Sequence, residues 1–366
     1  MRNFQIVGRG PLVRACCFVT CLGLTGLLGA QSPVQRGCAA TATTLTPPGW
    51  HAAARPPQPA PSSGFRLVAT VPLPGPANRF DYQSFDAASG RLYINHMNAG
   101  HLLVFNADSG KVTHEVAGLP RATGVLAVPT HHEVYVSAAG AHAVVILDDR
   151  TMKEVARVEG IHFPDGIAFD PFTDKVFVSD ESGGADVVID ARTHAKRSTI
   201  ALGGEAGNTH YDSVSRCMLV AVQTRNELVA LDPVSERTVA RYPLARSDHP
   251  HGFTLDQVGR LAFISGEGNA ELLVLDLRSL KILARHAVGA DPDVVAWDSE
   301  WRRLYVASES GTLSAFWLDG TSLRPIGEYH APRPHTVAVD PRTHCIYLPL
   351  ENVGGHPELR ILEVAR

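Results

Sequence analysis

From Phe65 to the C-terminus the chain repeats one pattern: a short apolar alternation, a polar turn, then another apolar run. The clearest copy opens at Asp248-His249-Pro250-His251-Gly252 and runs on through Phe253-Thr254-Leu255-Asp256. Leu261-Ala262-Phe263-Ile264-Ser265 follows, then the polar stretch Gly266-Glu267-Gly268-Asn269. Two further runs, Glu271 to Asp276 and Lys281 to Val288, complete the copy. Apolar, β-branched runs broken by Gly, Asp, Asn and Ser predict a four-stranded antiparallel meander. One such sheet cannot bury both of its faces, so it needs neighbours.

The rest of the chain supplies them. The Asp that closes the first run recurs at Asp86, Asp170, Asp212, Asp256, Asp298 and Asp340, and Pro129 takes that slot in the second copy. The successive spacings are 43, 41, 42, 44, 42 and 42 residues. A period in the forties with four strands per copy predicts an all-β fold, a seven-bladed β-propeller. An α/β fold is excluded because no long segment between the runs shows helical periodicity. The last copy has only three runs, at Thr336–Val339, Cys345–Leu348 and Leu359–Leu362. Phe65 to Val71 is the missing strand, and its return to the last blade closes the ring and removes a sheet edge.

The second run of the blades reads Tyr93-Ile94-Asn95-His96, Tyr135-Val136-Ser137-Ala138, Phe177-Val178-Ser179-Asp180, Phe263-Ile264-Ser265-Gly266 and Tyr305-Val306-Ala307-Ser308. Together with Pro164-Asp165-Gly166-Ile167-Ala168-Phe169-Asp170, this resembles the Tyr-Val-Thr-Asn repeat of YncE-like, surface-layer-type bacterial propellers. The resemblance spans residues 65–366 and implies the seven-bladed fold without implying one activity. The family's final Asn is absent from every blade here. Trp297-Asp298 ends a first run and is not a WD-repeat signal.

Residues 1–30 carry Arg2, Arg9 and Arg14 ahead of an apolar stretch that ends in Leu28-Gly29-Ala30. That order predicts a secretory signal peptide cleaved after Ala30, with too short an apolar run for a spanning helix. Residues 31–64 are rich in Ala, Thr and Pro and read as a disordered tether before the propeller at 65–366. The reading places the protein in the periplasm or outside the cell, with no membrane span after cleavage. Its formal charge is −4 and becomes −7 without the three arginines of the signal. A mildly acidic protein is a poor nucleic-acid binder, so the expected partner of this monomer is a small molecule or an envelope protein. Cys217 and Cys345 fall at matched places three blades apart and are expected to be unbridged, buried thiols.

Two columns of residues should face one mouth of the central channel. The start of the first strand contributes Asp81, Gly124, Asp165, Gly207, His251, Asp293 and His335. The position just past the second strand contributes Met97, Ala139, Glu181, Gln223, Glu267, Glu309 and Glu351, so that most polar residues of the first column would face a Glu of their own blade. His96 stands beside Asp81, and His249 and Arg333 lie two residues before the first column. Any one of these residues also suits a turn or a solvated hairpin tip. Turn chemistry does not explain two histidines at matched positions. His251, Asp293 and His335 are therefore the candidate metal ligands, and mixed imidazole and carboxylate donors suit Zn²⁺, Mn²⁺ or Fe²⁺ better than Ca²⁺. Asp81, His96, Asp165, Glu181, His249, Glu309 and Arg333 are the candidate ligand-binding residues. Should the site be a lactonase-like, metal-dependent hydrolase, Glu267 or Glu351 would be the base. No HExxH, GxSxG or phosphate-binding Gly-rich loop is present. Binding of a small ligand or metal, metal-dependent hydrolysis, and an envelope interaction scaffold are the three functions left open.

Overall fold

The computed structural model describes residues 64–364, so the signal-peptide and tether expectations lie outside the described residues. Seven four-stranded antiparallel sheets make the seven blades. Blade 1 spans residues 83–117, blade 2 122–159, blade 3 164–201, blade 4 206–243, blade 5 250–287 and blade 6 292–330. Blade 7 takes its inner three strands from the C-terminal end of the chain and its outer strand from β1, Phe65–Pro72. β1 pairs antiparallel with the last strand, from Phe65 opposite Val364 to Pro72 opposite Glu358. The expected ring closure is thus observed. Among the described residues no helix is long and apolar enough to cross a membrane.

The core lies between blades, because each sheet buries its two faces against the sheets beside it. The third residue of the second strand is Tyr93, Tyr135, Phe177, Leu219, Phe263 and Tyr305 in blades 1 to 6, Tyr347 is the second residue of that strand in blade 7, and all seven are buried. Burial of such large side chains contributes about 25 cal/mol per Å² of apolar surface removed from water. The repeated Asp caps the first hairpin of its blade: Asp170 Oδ1 accepts from Phe172 N at 2.8 Å, and Asp86 Oδ1 from Ala88 N at 3.0 Å.

Blade 2 departs from the predicted alignment. Its first strand ends at Val128, which pairs with Glu133 as Asp170 pairs with Lys175. Val128, not Pro129, therefore holds the Asp slot, and the first two spacings become 42 and 42. The channel column shifts with it, from Gly124 to Thr123. The turn has its ordinary length, four residues between Val128 and Glu133 as between Asp170 and Lys175, and the slot is displaced because blade 2 carries Val where the other blades carry Asp. The two remaining cysteines do not bridge each other. Cys345 is a free thiol, while Cys217 is disulfide-bonded, which corrects the expectation of two unbridged thiols.

Candidate functional site

The first strands of adjacent blades touch one another around the axis. In blades 2 to 6 each of these strands carries a bulge just after its first paired residue, between Pro164 and Ile167 in blade 3, Pro250 and Phe253 in blade 5, and Pro292 and Val295 in blade 6. Two residues then oppose one across the pair, which bends the strand and re-aims the side chain at the bulge. Asp165, His251 and Asp293 occupy these bulges. Second-strand hydroxyls hold them from the next blade: Ser137 Oγ donates to the Asp165 carbonyl at 2.7 Å, and Ser265 Oγ reaches the Asp293 carbonyl at 3.2 Å. The approach is so close that a Cβ on Gly252 would stand 1.6 Å from the Asp293 oxygen. Only glycine fits there.

The bulges converge on a buried ionisable cluster. Asp81, Asp165, His251, Asp293 and His335 are all nearly inaccessible to solvent. Asp293 lies between the two imidazoles, with Oδ1 3.4 Å from His251 Nε2 and Oδ2 3.2 Å from His335 Nε2. His335 Nε2 also lies 3.2 Å from Asp81 Oδ1, and its Nδ1 lies 2.9 Å from Glu309 Oε1. Asp165 Oδ2 is 3.9 Å from His251 Nε2, from the other side of the channel. Two sets of three residues have ligand atoms within 4.8 Å of one another: His251, Glu267 and Asp293, and Asp293, Glu309 and His335. The expected trio of His251, Asp293 and His335 is thus divided between two triads that share Asp293.

Electrostatics follows from this geometry. Burial alone would lower the pKa of both imidazoles. Asp293, Glu267 and Asp165 outweigh it at His251 and hold it up at about 9, while Asp293 and Asp81 hold His335 up at about 10. Both rings are therefore imidazolium at neutral pH, so His335 donates from Nδ1 to Glu309 and from Nε2 to the aspartates. The hydrogen bond from His335 holds Glu309 down at about 2. Burial pushes the carboxyls of Asp165, Glu181 and Glu267 upward. Several polar atoms here make no hydrogen bond although buried: Asp165 Oδ2, His251 Nδ1, Asp293 Oδ1 and Arg79 Nε. Such atoms are costly to leave unpaired in a low dielectric.

Not every predicted residue joins the cluster. His96 is fully buried with its ring stacked on Phe80 at 4.1 Å and its imidazole against Gly75, and burial lowers its pKa. It packs blade 1 instead of facing the channel, because it is the last strand residue and its side chain falls on the opposite face from Met97. His249 is exposed at the rim with Nδ1 2.7 Å from Asp248 of its own turn. Arg333, also exposed, bridges Glu309 at 3.5 Å and Glu351 at 3.3 Å. Glu181 accepts from Gln223 Nε2 at 3.3 Å. The expected pairing within one blade fails at His335, which meets Glu309 of blade 6 and not Glu351 of its own.

Two residues of the cluster were not anticipated. Tyr82 Oη lies 2.8 Å from His251 Nε2, so a blade 1 side chain spans the channel to blade 5. Its counterparts in blades 2, 3 and 5 are the glycines 124, 166 and 252, and that size contrast was a legible signal. Arg79 Nη1 meets Glu309 Oε1 at 2.8 Å, and its Nη2 lies 3.2 Å from His335 Nε2 and 3.9 Å from Asp293 Oδ2. Because His335 donates to the aspartates, the guanidinium bonds the carboxylates and not the ring. Arg79 occupies the same place before the column as His249 and Arg333.

Fold and site together define a seven-bladed β-propeller with an ionisable cluster buried on its axis. No family model matches the chain, and no curated protein matches it. Among solved structures it is similar to Kuenenia stuttgartiensis hydrazine synthase, with a TM-score of 0.67 and 15% sequence identity over 77% of this chain and 94% of that one. A likeness at that identity shows the shared fold alone.

Proposed function

We propose that this is an envelope propeller of the YncE-like kind whose axial cluster binds a divalent transition metal ion, through His251, Glu267 and Asp293. The observation that carries the reading is the triad itself, whose ligand atoms lie within 4.8 Å of one another, with Asp293 Oδ1 and His251 Nδ1 both buried and without a hydrogen bond. One imidazole and two carboxylates suit Zn²⁺, Mn²⁺ or Fe²⁺. A bound ion would act as the counter-charge the carboxylates otherwise obtain from protonated His251, so binding releases protons and strengthens as pH rises. The geometry supports binding over lactonase-like hydrolysis, because Glu267 would be a ligand and Glu351 is engaged by Arg333 at the rim. The secreted or periplasmic setting rests on residues 1–30, and an envelope protein remains the expected macromolecular partner.

Elemental analysis of the purified protein and calorimetric titration with Zn²⁺ and Mn²⁺ test the reading. One equivalent is expected, with stabilisation of about 2.7 kcal/mol when the free ion stands at a hundred times Kd. His251→Ala should remove both while leaving the melting profile of the metal-free protein cooperative. A protein that binds neither ion and melts at the same temperature with or without them refutes it.

A further inference from the structure

We infer that Arg79 is a built-in cation that fills the second triad and limits the cluster to one metal ion. The inference rests on the metal-binding reading above and concerns what divides the two triads. Asp293 belongs to both, offering Oδ1 toward His251 and Oδ2 toward His335. A carboxylate shared in this way is the arrangement by which two-metal sites hold ions a few ångströms apart. The triads differ in the group beside them: the neutral Tyr82 hydroxyl, 2.8 Å from His251 Nε2, at the first and the cationic Arg79 at the second. The His251 side keeps unpartnered atoms, Asp293 Oδ1 and His251 Nδ1. On the His335 side Arg79 Nη1 bonds Glu309 at 2.8 Å, and Nη2 faces Asp293 Oδ2 and His335 Nε2. Asp81, Glu309 and Asp293 together hold the guanidinium charged against the cost of its burial. The planar guanidinium supplies several donors in one fixed plane and keeps its charge at any pH the protein meets.

The source of Arg79 is the loop that enters blade 1. The first strand of this blade is four residues long, Gln83–Asp86, against seven in blades 2 to 6. The chain ahead of it therefore leaves the ladder early, held by Asp81 N to Asn95 O at 2.9 Å and by Asn98 N to Arg79 O at 3.3 Å. That brings the arginine over the axis, opposite blades 6 and 7. Blade 1 has Met97 where blades 3, 5, 6 and 7 carry Glu, so it contributes a cation and no carboxylate from that column.

The experiment counts bound Zn²⁺ by calorimetry and elemental analysis in wild type, Arg79→Gln, Arg79→Lys and Arg79→Gln with His335→Ala. Expected values are one equivalent in wild type, two in Arg79→Gln, one in Arg79→Lys and one in the double variant. Wild type and Arg79→Gln both at one equivalent overturns the role of Arg79 and leaves the metal site standing. None bound in any variant overturns both. Should Arg79→Gln fail to fold, nitrogen-15 spectra of histidine-labelled wild type decide the matter. The first equivalent of Zn²⁺ should move the ring nitrogens of His251 and leave those of His335 in place, and movement at His335 overturns the inference.

Discussion

Gly252→Ala tests whether the bulges set the electrostatics of the channel. The added Cβ would lie 1.6 Å from the Asp293 carbonyl oxygen, where contacts under 3.0 Å are essentially never seen. The difference, about 1.4 Å, must be taken up by separating the innermost strands of blades 5 and 6, since the obstacle is backbone. Overpacking of that kind costs roughly 1–3 kcal/mol. The bonds from Ser265 Oγ to Gly252 O at 2.8 Å and to Asp293 O at 3.2 Å stretch in the same movement, for about 1 kcal/mol more. Displacement carries Asp293 away from His251 and His335, now 3.4 and 3.2 Å distant. The His335 pKa, held at about 10 against burial by Asp293 and Asp81, should fall toward its ordinary 6.5. Urea melts measure the stability loss, and the pH titration of histidine ring protons measures the pKa. A variant as stable as wild type, with His335 still titrating near its original value, would refute the reasoning.

Two further outcomes follow from buried titratable groups. Asp186 lies fully buried in the seam between blades 3 and 4, where the sister blades carry Leu102, Val144, Leu228, Leu272 and Leu313. Burial pushes its carboxyl from 3.8 up to about 7, so folding grows less favourable as pH climbs between those values, by about 4 kcal/mol in all. Asp186→Leu should therefore gain about 4 kcal/mol more at pH 8 than at pH 4, measured by urea denaturation, and an equal gain at both pH values contradicts it. The axial imidazoles act with the opposite chemistry. Their folded pKa values of about 9 and about 10 lie above the ordinary 6.5, so their stabilisation is whole below pH 6.5 and lost as pH rises through those values. His335→Gln should flatten stability between pH 7 and 10, and an unchanged slope in thermal melts over that range would show that the ring is neutral in the fold.

Much of the architecture was legible from the chain alone. Alternation of period two, with turn residues at regular spacing, is a local code, and each blade obeys it independently. Phe65 to Val71 was readable as the closing strand because the last copy lacked one, and the observed strand extends it by one residue to Pro72. Blade 2 has no Asp at the end of its first strand, so spacing alone left its slot one residue out, at Pro129 in place of Val128. Within the site, His251, Asp293, His335 and Glu309 were recognisable as a recurring polar column. Arg79 shared the place of His249 and Arg333, and Tyr82 stood where other blades have glycine, so both carried a signal that a fuller comparison of blades would have used.

What the chain determined by itself was the repeat, the ring and the set of residues facing the axis, since these depend on side-chain alternation and on counting blades. Tertiary structure decided which of those residues meet. Contacts on the axis join blades distant in sequence, as Tyr82 meets His251 and Asp81 meets His335. The separation of one expected trio into two triads sharing Asp293, with Arg79 beside one of them, arises from the meeting of blades 1, 5, 6 and 7 on the axis. No pattern along a single strand encodes it.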